Sequence, residues 1–275
     1  MMFGGIAMET AIKNENSENI KAVNKMAIMP IPRLLAGMSI PLMFSLLIQS
    51  LYNIVDGIFV AKLSENALTA TSLVYPLQVV MITVSVGMAI GVNALLSRLL
   101  GEKKFNDVTN IAVPGLILTV ASSLVFAVAG AFFPNQIASV LSKDAEINTL
   151  CSQYLHICMM LCSGIFIEMM FQRFLQATGK TFLSMISLVV GAAANIVLDP
   201  IMIFGYFGFP AMGIRGAAIA TVIGQWLGSA VACLLNTFLN SEVKLSLKNY
   251  NSRLMSPASS GGGAYGLSVG DTIPH

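Results

Sequence analysis

The sequence predicts an all-α integral membrane protein, a six-transmembrane-helix bundle, and three observations carry that expectation. Apolar residues fill 56% of 275 positions and charged residues only 10%, with a mean hydropathy of +0.79. Soluble domains carry roughly 25% charged residues, because a water-facing surface has to be solvated. Charge is also missing in long blocks: positions 66–97, 32 in a row, and 216–241, 26 in a row, hold no Asp, Glu, Lys or Arg. About 20 apolar residues suffice to cross a bilayer as a helix. Runs rich in Leu, Ile, Met and Ala lack the alternation of barrel strands. Finally, twelve of the 15 Lys and Arg residues fall on one side of six such helices, and only Lys62, Lys143 and Arg215 on the other. The basic side is cytoplasmic. Both termini are therefore expected in the cytoplasm of a multi-pass protein of the inner membrane, as an even number of spans requires.

Each segment follows in chain order. Residues 1–33 are polar and mixed in charge, with Glu9, Lys13, Glu15, Glu18, Lys21, Lys25 and Arg33. They lack the short basic start, apolar core and cleavage site of a secretory signal, and read as a cytoplasmic tail. A lobe of six helices is expected over 34–240. The first helix, 34–60, contains Pro41, Gln49, Asn53 and Asp56; the second, 67–97, contains Gln78, Asn93 and the glycines of GMAIG, Gly87 and Gly91. The third runs over 111–133. The fourth, 147–172, places Cys151, Cys158 and Cys162 on one face and His156 nearly opposite, at about 100° per residue, which argues against a metal site. Glu168, five residues before Arg173, reads as a satisfied charge near the cytoplasmic end. The fifth, 181–207, holds Asn195, Asp199 and Pro200. The sixth, 216–239, holds Thr221, Gln225 and the glycines of GQWLG, Gly224 and Gly228. Paired small residues four apart allow close helix packing. Residues 241–275 begin as a basic linker and become rich in Gly and Ser, a linker-like composition.

Acids inside a membrane helix are costly and need a reason. Asp56 lies about 22 residues into the first helix, or ~33 Å at 1.5 Å per residue. Asp199 lies about 18 residues into the fifth, or ~27 Å. Both fall toward the outer half, and Thr221, early in the inward-running sixth helix, shares that layer. Asn195 precedes Asp199 by four, so both project from one helix face. Two carboxylates, an amide oxygen and a hydroxyl suit a hard monovalent cation or a proton. Asp56 also lies near Lys62, which leaves open an interfacial cap for the helix end. Gln49, Asn53, Gln78 and Gln225 give the bundle interior polar character and are candidates for lining a cavity. Pro41 and Pro200 free backbone carbonyls and can kink their helices.

The stretch QSLYNIVDGIFVAKLSENALTATSLVYPL, followed in order by GVNALLSRLLGEKK, RFLQATGKT, NIVLDPIMIFG and GIRGAAIATVIGQ, resembles the MATE (multidrug and toxic compound extrusion) family. The resemblance runs from about Ile31 to Asn249. It implies one lobe of a twelve-helix transporter built from two pseudo-symmetric lobes, exporting amphipathic or cationic compounds in exchange for sodium or protons. It implies a cation site from an Asp of the first helix, an Asn and an Asp of the fifth and a Thr of the sixth. Asp56, Asn195, Asp199 and Thr221 match those positions.

A full transporter of this kind continues into a second six-helix lobe after the basic linker. Here the last 22 residues, Leu254 to His275, do not resemble a membrane segment. The chain as written is expected to be the amino-terminal half, needing a second lobe to transport. Alternatives are a non-transporting truncated membrane fragment and a lipid-linked oligosaccharide flippase of the same superfamily. The flippase should carry a distinctly cationic cavity, and no buried Lys or Arg stands out. No GxSxG or HExxH motif points to an enzyme, no cofactor is implied beyond the coupling ion, and no basic cluster suits nucleic acid. Membrane lipid is the expected surrounding.

Overall fold

The computed structural model describes residues 30–240 and 242–243, with Phe105 and Asn106 described by their backbone alone. The tail up to residue 29 and nearly all of the segment 241–275 lie outside the described residues. Every regular element among them is helical. Helix α1 spans Ile31–Leu63, α2 Glu65–Gly101, α3 Phe105–Phe132, α4 Pro134–Leu141, α5 Ala145–Met160, α6 Ser163–Ala177, α7 Thr181–Phe204 and α8 Ile214–Leu239. Five of these are long and apolar enough to cross a membrane, and α5 with α6, bent by 46° at their junction, meets the same measure only as a pair, which brings the total to six when the two count as one broken span.

Local chemistry explains the boundaries. Pro30 and Pro32 open α1, where a missing N–H removes nothing the first turn needed. The expected loop between the first two helices shrinks to Ser64, whose hydroxyl accepts from the Ala67 N–H at 3.0 Å and caps α2. At its other end α2 runs past the expected 97 to Gly101, where Glu102 pairs with Arg98 at 2.9 Å and with Lys104 at 2.7 Å. Asp144 caps α5 by accepting from the N–H groups of Glu146 and Ile147, at 2.9 and 3.1 Å. Helix α7 stops at Phe204, three residues short of the expected 207, because Gly205 takes a left-handed φ of 76°. A Cβ there would meet the Phe209 carbonyl oxygen at 2.7 Å, so only glycine fits the turn.

Two features were not expected. The amphipathic helix α4 lies between the third and fourth spans. The fourth span itself, read from sequence as one helix over 147–172, is broken at Leu161 and Cys162. The break falls just before Ser163 and Gly164, a pair of the kind that weakens a helix ladder. Gly164 is seated against Trp226 of α8, where a Cβ would lie 2.9–3.1 Å from the indole ring.

Helices α7 and α8 form the closest pair, and α1 leans mainly on α7. Gly191 and Gly224 make their contact: a Cβ on either would sit 2.7–2.8 Å from the other's carbonyl oxygen. Lys180, at the start of α7, donates to the Leu239 carbonyl and to Asn240 Oδ1, at 2.6 and 3.3 Å. Asn236 and Asn240 reach across to the carbonyls of Phe171 and Phe174 on α6, at 2.8 and 3.3 Å. By contrast Gly87 and Gly91, read as a second packing face, have no neighbour within 4 Å of a built Cβ. They face open space, since a small-residue spacing does not say which side of a helix meets a partner. Two apolar clusters fill the bundle, one around Val74, Leu155, Phe166 and Ile203, the other around Leu96, Met170 and Phe174. Helix α1 contributes only Pro41 and Val60 as fully buried residues, and Leu46, Leu47, Leu51 and Ile54 stay exposed. Exposed apolar side chains on a helix of this length suit lipid or a further protein surface.

Candidate cation site and cavity

Asn195 and Asp199 are one turn apart on α7, at 2% and 0% exposure, and Thr221 faces them from α8 at 5%. The Asn195 Nδ2 donates to Asp199 Oδ1 at 3.3 Å and to Thr221 Oγ1 at 3.4 Å. Asp56, half-buried on α1, brings its carboxyl against that of Asp199. The interfacial cap that sequence left open for Asp56 is therefore not its placement: its side chain turns inward to Asp199. All four members of the quartet meet at one spot from three helices. Asp56 Oδ1, Asn195 Oδ1 and Asp199 Oδ2 are buried there without a hydrogen-bond partner. Buried oxygens are ordinarily satisfied, and a set of them without donors suits a bound proton or a small cation, which needs acceptors alone.

The quartet sits at the edge of a cavity of about 520 Å³, lined among others by Asp56, Asn195 and Thr221. Asp199 lies behind that lining, reached through Asp56 and Asn195. Gln49 and Asn53 of α1, Gln78 of α2 and Gln225 of α8 all line the same cavity. Pro41 is buried in α1 and Pro200 follows Asp199 in α7; the helices continue through both. Neither Pro donates an N–H, so the carbonyls of Gly37 and Ile196, four residues back, lack their helical donors.

Sequence reasoning missed three participants. Tyr52, one turn before Asp56 on the same face of α1, lines the cavity and reaches the Thr221 hydroxyl. Its i, i+4 spacing to Asp56 was the available signal. Tyr154, 3% exposed on α5, accepts from Gln78 Nε2 at 3.5 Å. Glu168 is the third, and its reading is corrected. It is no interfacial charge beside Arg173: it is 6% exposed, lines the cavity, and accepts from Gln172 Nε2 at 3.0 Å. Arg173 turns instead to Gln176 Oε1 at 2.6 Å. The break after α5 re-aims the α6 face, which no spacing rule applied to a straight 147–172 helix could show. Cys151, Cys158 and Cys162 are buried, and His156 faces the Gly130 carbonyl at 3.0 Å, away from them.

Known proteins match this chain over much of its length. The multidrug export protein MepA of Staphylococcus aureus is 26% identical over 215 residues, covering 78% of this chain and 47% of MepA. An FAD transporter of Shewanella oneidensis is 28% identical over 210 residues, covering 76% of this chain and 46% of its own length. A crystal structure of MATE in complex with MaL6 superposes with a TM-score of 0.74 at 25% identity, over 79% of this chain and 48% of that one. A MOP superfamily transporter from Pyrococcus furiosus, described as having a binding pocket of reverse polarity, gives 0.73 at 25%, over the same shares. The chain spans about half the length of the curated relatives it matches. The MatE family model matches residues 41–201, from the first span through Asp199 and short of Thr221. A helical bundle of five to six apolar spans carrying that match over more than half its length is a member of the MatE family of transporters.

Proposed function

We propose that the chain is the amino-terminal lobe of a cation-coupled multidrug efflux antiporter, with Asp56, Asn195, Asp199 and Thr221 taking sodium or a proton. The observation that carries this reading is the convergence of those four side chains from three helices at the edge of a cavity large enough for a small molecule, three of them lining it and Asp199 directly behind. Pockets for such ligands run from about 300 to 1,000 Å³, and this one is about 520 Å³. An ion or proton at the quartet offsets the charge of two neighbouring carboxyls. It couples to transport by favouring one arrangement of the bundle over another. Alternating access in two-lobed transporters comes from one lobe moving against the other, so a second six-helix lobe is the required partner. The setting is the cytoplasmic membrane, with both termini inside, as the Lys and Arg distribution suggests.

The chemistry of the cavity supports a cationic or amphipathic cargo over a phosphate-bearing one. Asp56 and Glu168 line it, and no Lys, Arg or His does among the described residues. A lipid-linked oligosaccharide or a dinucleotide such as FAD would present phosphates to those carboxylates, a like-charge contact with no cation to relieve it. Ethidium movement in inside-out vesicles from cells expressing the chain together with a second six-helix lobe tests the reading. A sodium or proton gradient should drive its accumulation, and Asp199→Asn should abolish the response. Ethidium that ignores both gradients counts against efflux.

A further inference from the structure

Glu168 is a buried carboxylate that the coupling quartet leaves unused. It accepts from Gln172 Nε2 at 3.0 Å, a side chain on the same helix that is itself 6% exposed. The opposing helix is shaped around it. Gly228 of α8 lies so close that a Cβ there would come 2.5–3.0 Å from the Glu168 carboxyl atoms. Any other residue at 228 would push the carboxyl aside. Isolated buried carboxylates are costly, and a merely structural contact between α6 and α8 could be made by apolar groups. This carboxylate instead lines the cavity.

Its position separates it from the quartet. Thr221 marks the quartet on α8 and Gly228 marks Glu168, seven residues on, which is about 10 Å along the helix axis. Both places open on one cavity, whose wall also presents Tyr52, Tyr75 and Tyr154. Tyrosine faces attract cations through the ring quadrupole. A small desolvated ion fits the tight cluster of oxygens at the quartet. A bulky cation does not, but it can lay its charge beside Glu168 and its apolar body along the tyrosines.

We propose that Glu168 is a second cation seat in the cavity, taking the charged centre of a bulky organic cation while the quartet takes the coupling ion. This rests on the transporter reading above, and the two can fail separately. The test is calorimetric titration of tetraphenylphosphonium into the full chain in detergent. Wild type should bind saturably. Glu168→Gln, which keeps the shape, should weaken binding on the order of tenfold or more, as expected for losing a charge-assisted contact. Glu168→Asp should recover part of the loss. Gly228→Ala approaches the same carboxyl from the other helix and should weaken binding as well, which keeps the test decisive if Glu168→Gln fails to fold. Unchanged affinity in a folded Glu168→Gln, or in Gly228→Ala if Glu168→Gln does not fold, overturns the second seat and leaves the transporter reading standing. No binding to wild type overturns the cavity reading and the seat with it.

Discussion

Asn195 and Thr221 are joined by a hydrogen bond of 3.4 Å that ties α7 to α8 beside two carboxyls. The same amide nitrogen also reaches Asp199 at 3.3 Å, while its oxygen is buried with no partner. The amide thus holds Asp199 in place from one side and leaves an acceptor aimed at the same spot. Asp199→Asn keeps this geometry and removes the charge. Sodium, or acidification if the ion is a proton, should raise the melting temperature of the purified wild-type chain. The variant should show no such rise, because losing a charged ligand costs roughly 1.5–3 kcal/mol and so about ten- to hundredfold in ion affinity. A variant that still responds like wild type would remove Asp199 from the site.

The two glycine pairs should respond in opposite directions. Gly224→Ala puts a methyl 2.7 Å from the Gly191 carbonyl oxygen, and backbone cannot yield as a flexible side chain can. Overpacking of this kind costs roughly 1–3 kcal/mol. Gly87→Ala and Gly91→Ala meet nothing within 4 Å and gain helix propensity of up to about 1 kcal/mol. Thermal unfolding in detergent should therefore show Gly224→Ala melting below wild type and the other two at or above it. Equal losses at all three positions would mean that α2 has a packing partner at Gly87 and Gly91.

What was readable in the sequence follows the same division. Uncharged blocks marked the spans, because lipid leaves no choice of composition there. The quartet was readable because acids in such blocks are rare, and because Asn195 and Asp199 share a face whatever the helix packs against. Tertiary placement was not readable. GMAIG and GQWLG carry the same spacing, yet only the second meets a neighbour. Glu168 was misjudged because its depth and direction depend on a 46° bend at a junction with no proline. Its nearest base in sequence, Arg173, turns to Gln176.

At the end of α2 a pH effect of known sign is expected. Lys104, and after it Arg98, hydrogen-bond the Glu102 carboxylate and hold it below the usual glutamate range. A carboxyl whose folded value is depressed adds stability above its unfolded value and loses it as pH falls through the folded one. The pair is exposed, so the effect is small and weakens with salt. Glu102→Gln should narrow the difference in melting temperature between neutral and acidic buffer at low ionic strength. At high salt, variant and wild type should converge.

Trp226 reports on the broken span, because it is the only tryptophan in the chain and its indole lies on Gly164, two residues after the break. A methyl at 164 would come 2.9 Å from Cδ1 and 3.0 Å from Nε1, so Gly164→Ala must move the ring, the α5–α6 junction, or both. Trp226 as a residue is 42% exposed on the flank of α8 and its ring can swing outward, so the ring is the part expected to give. Its emission should then shift as it leaves the helix interface, with little loss of helical circular dichroism. The displacement also reaches the cavity, since Trp226 adjoins Gln225 on its wall. Unshifted emission together with a lower melting temperature would show that the junction moves and the ring stays, making the bend the softer element.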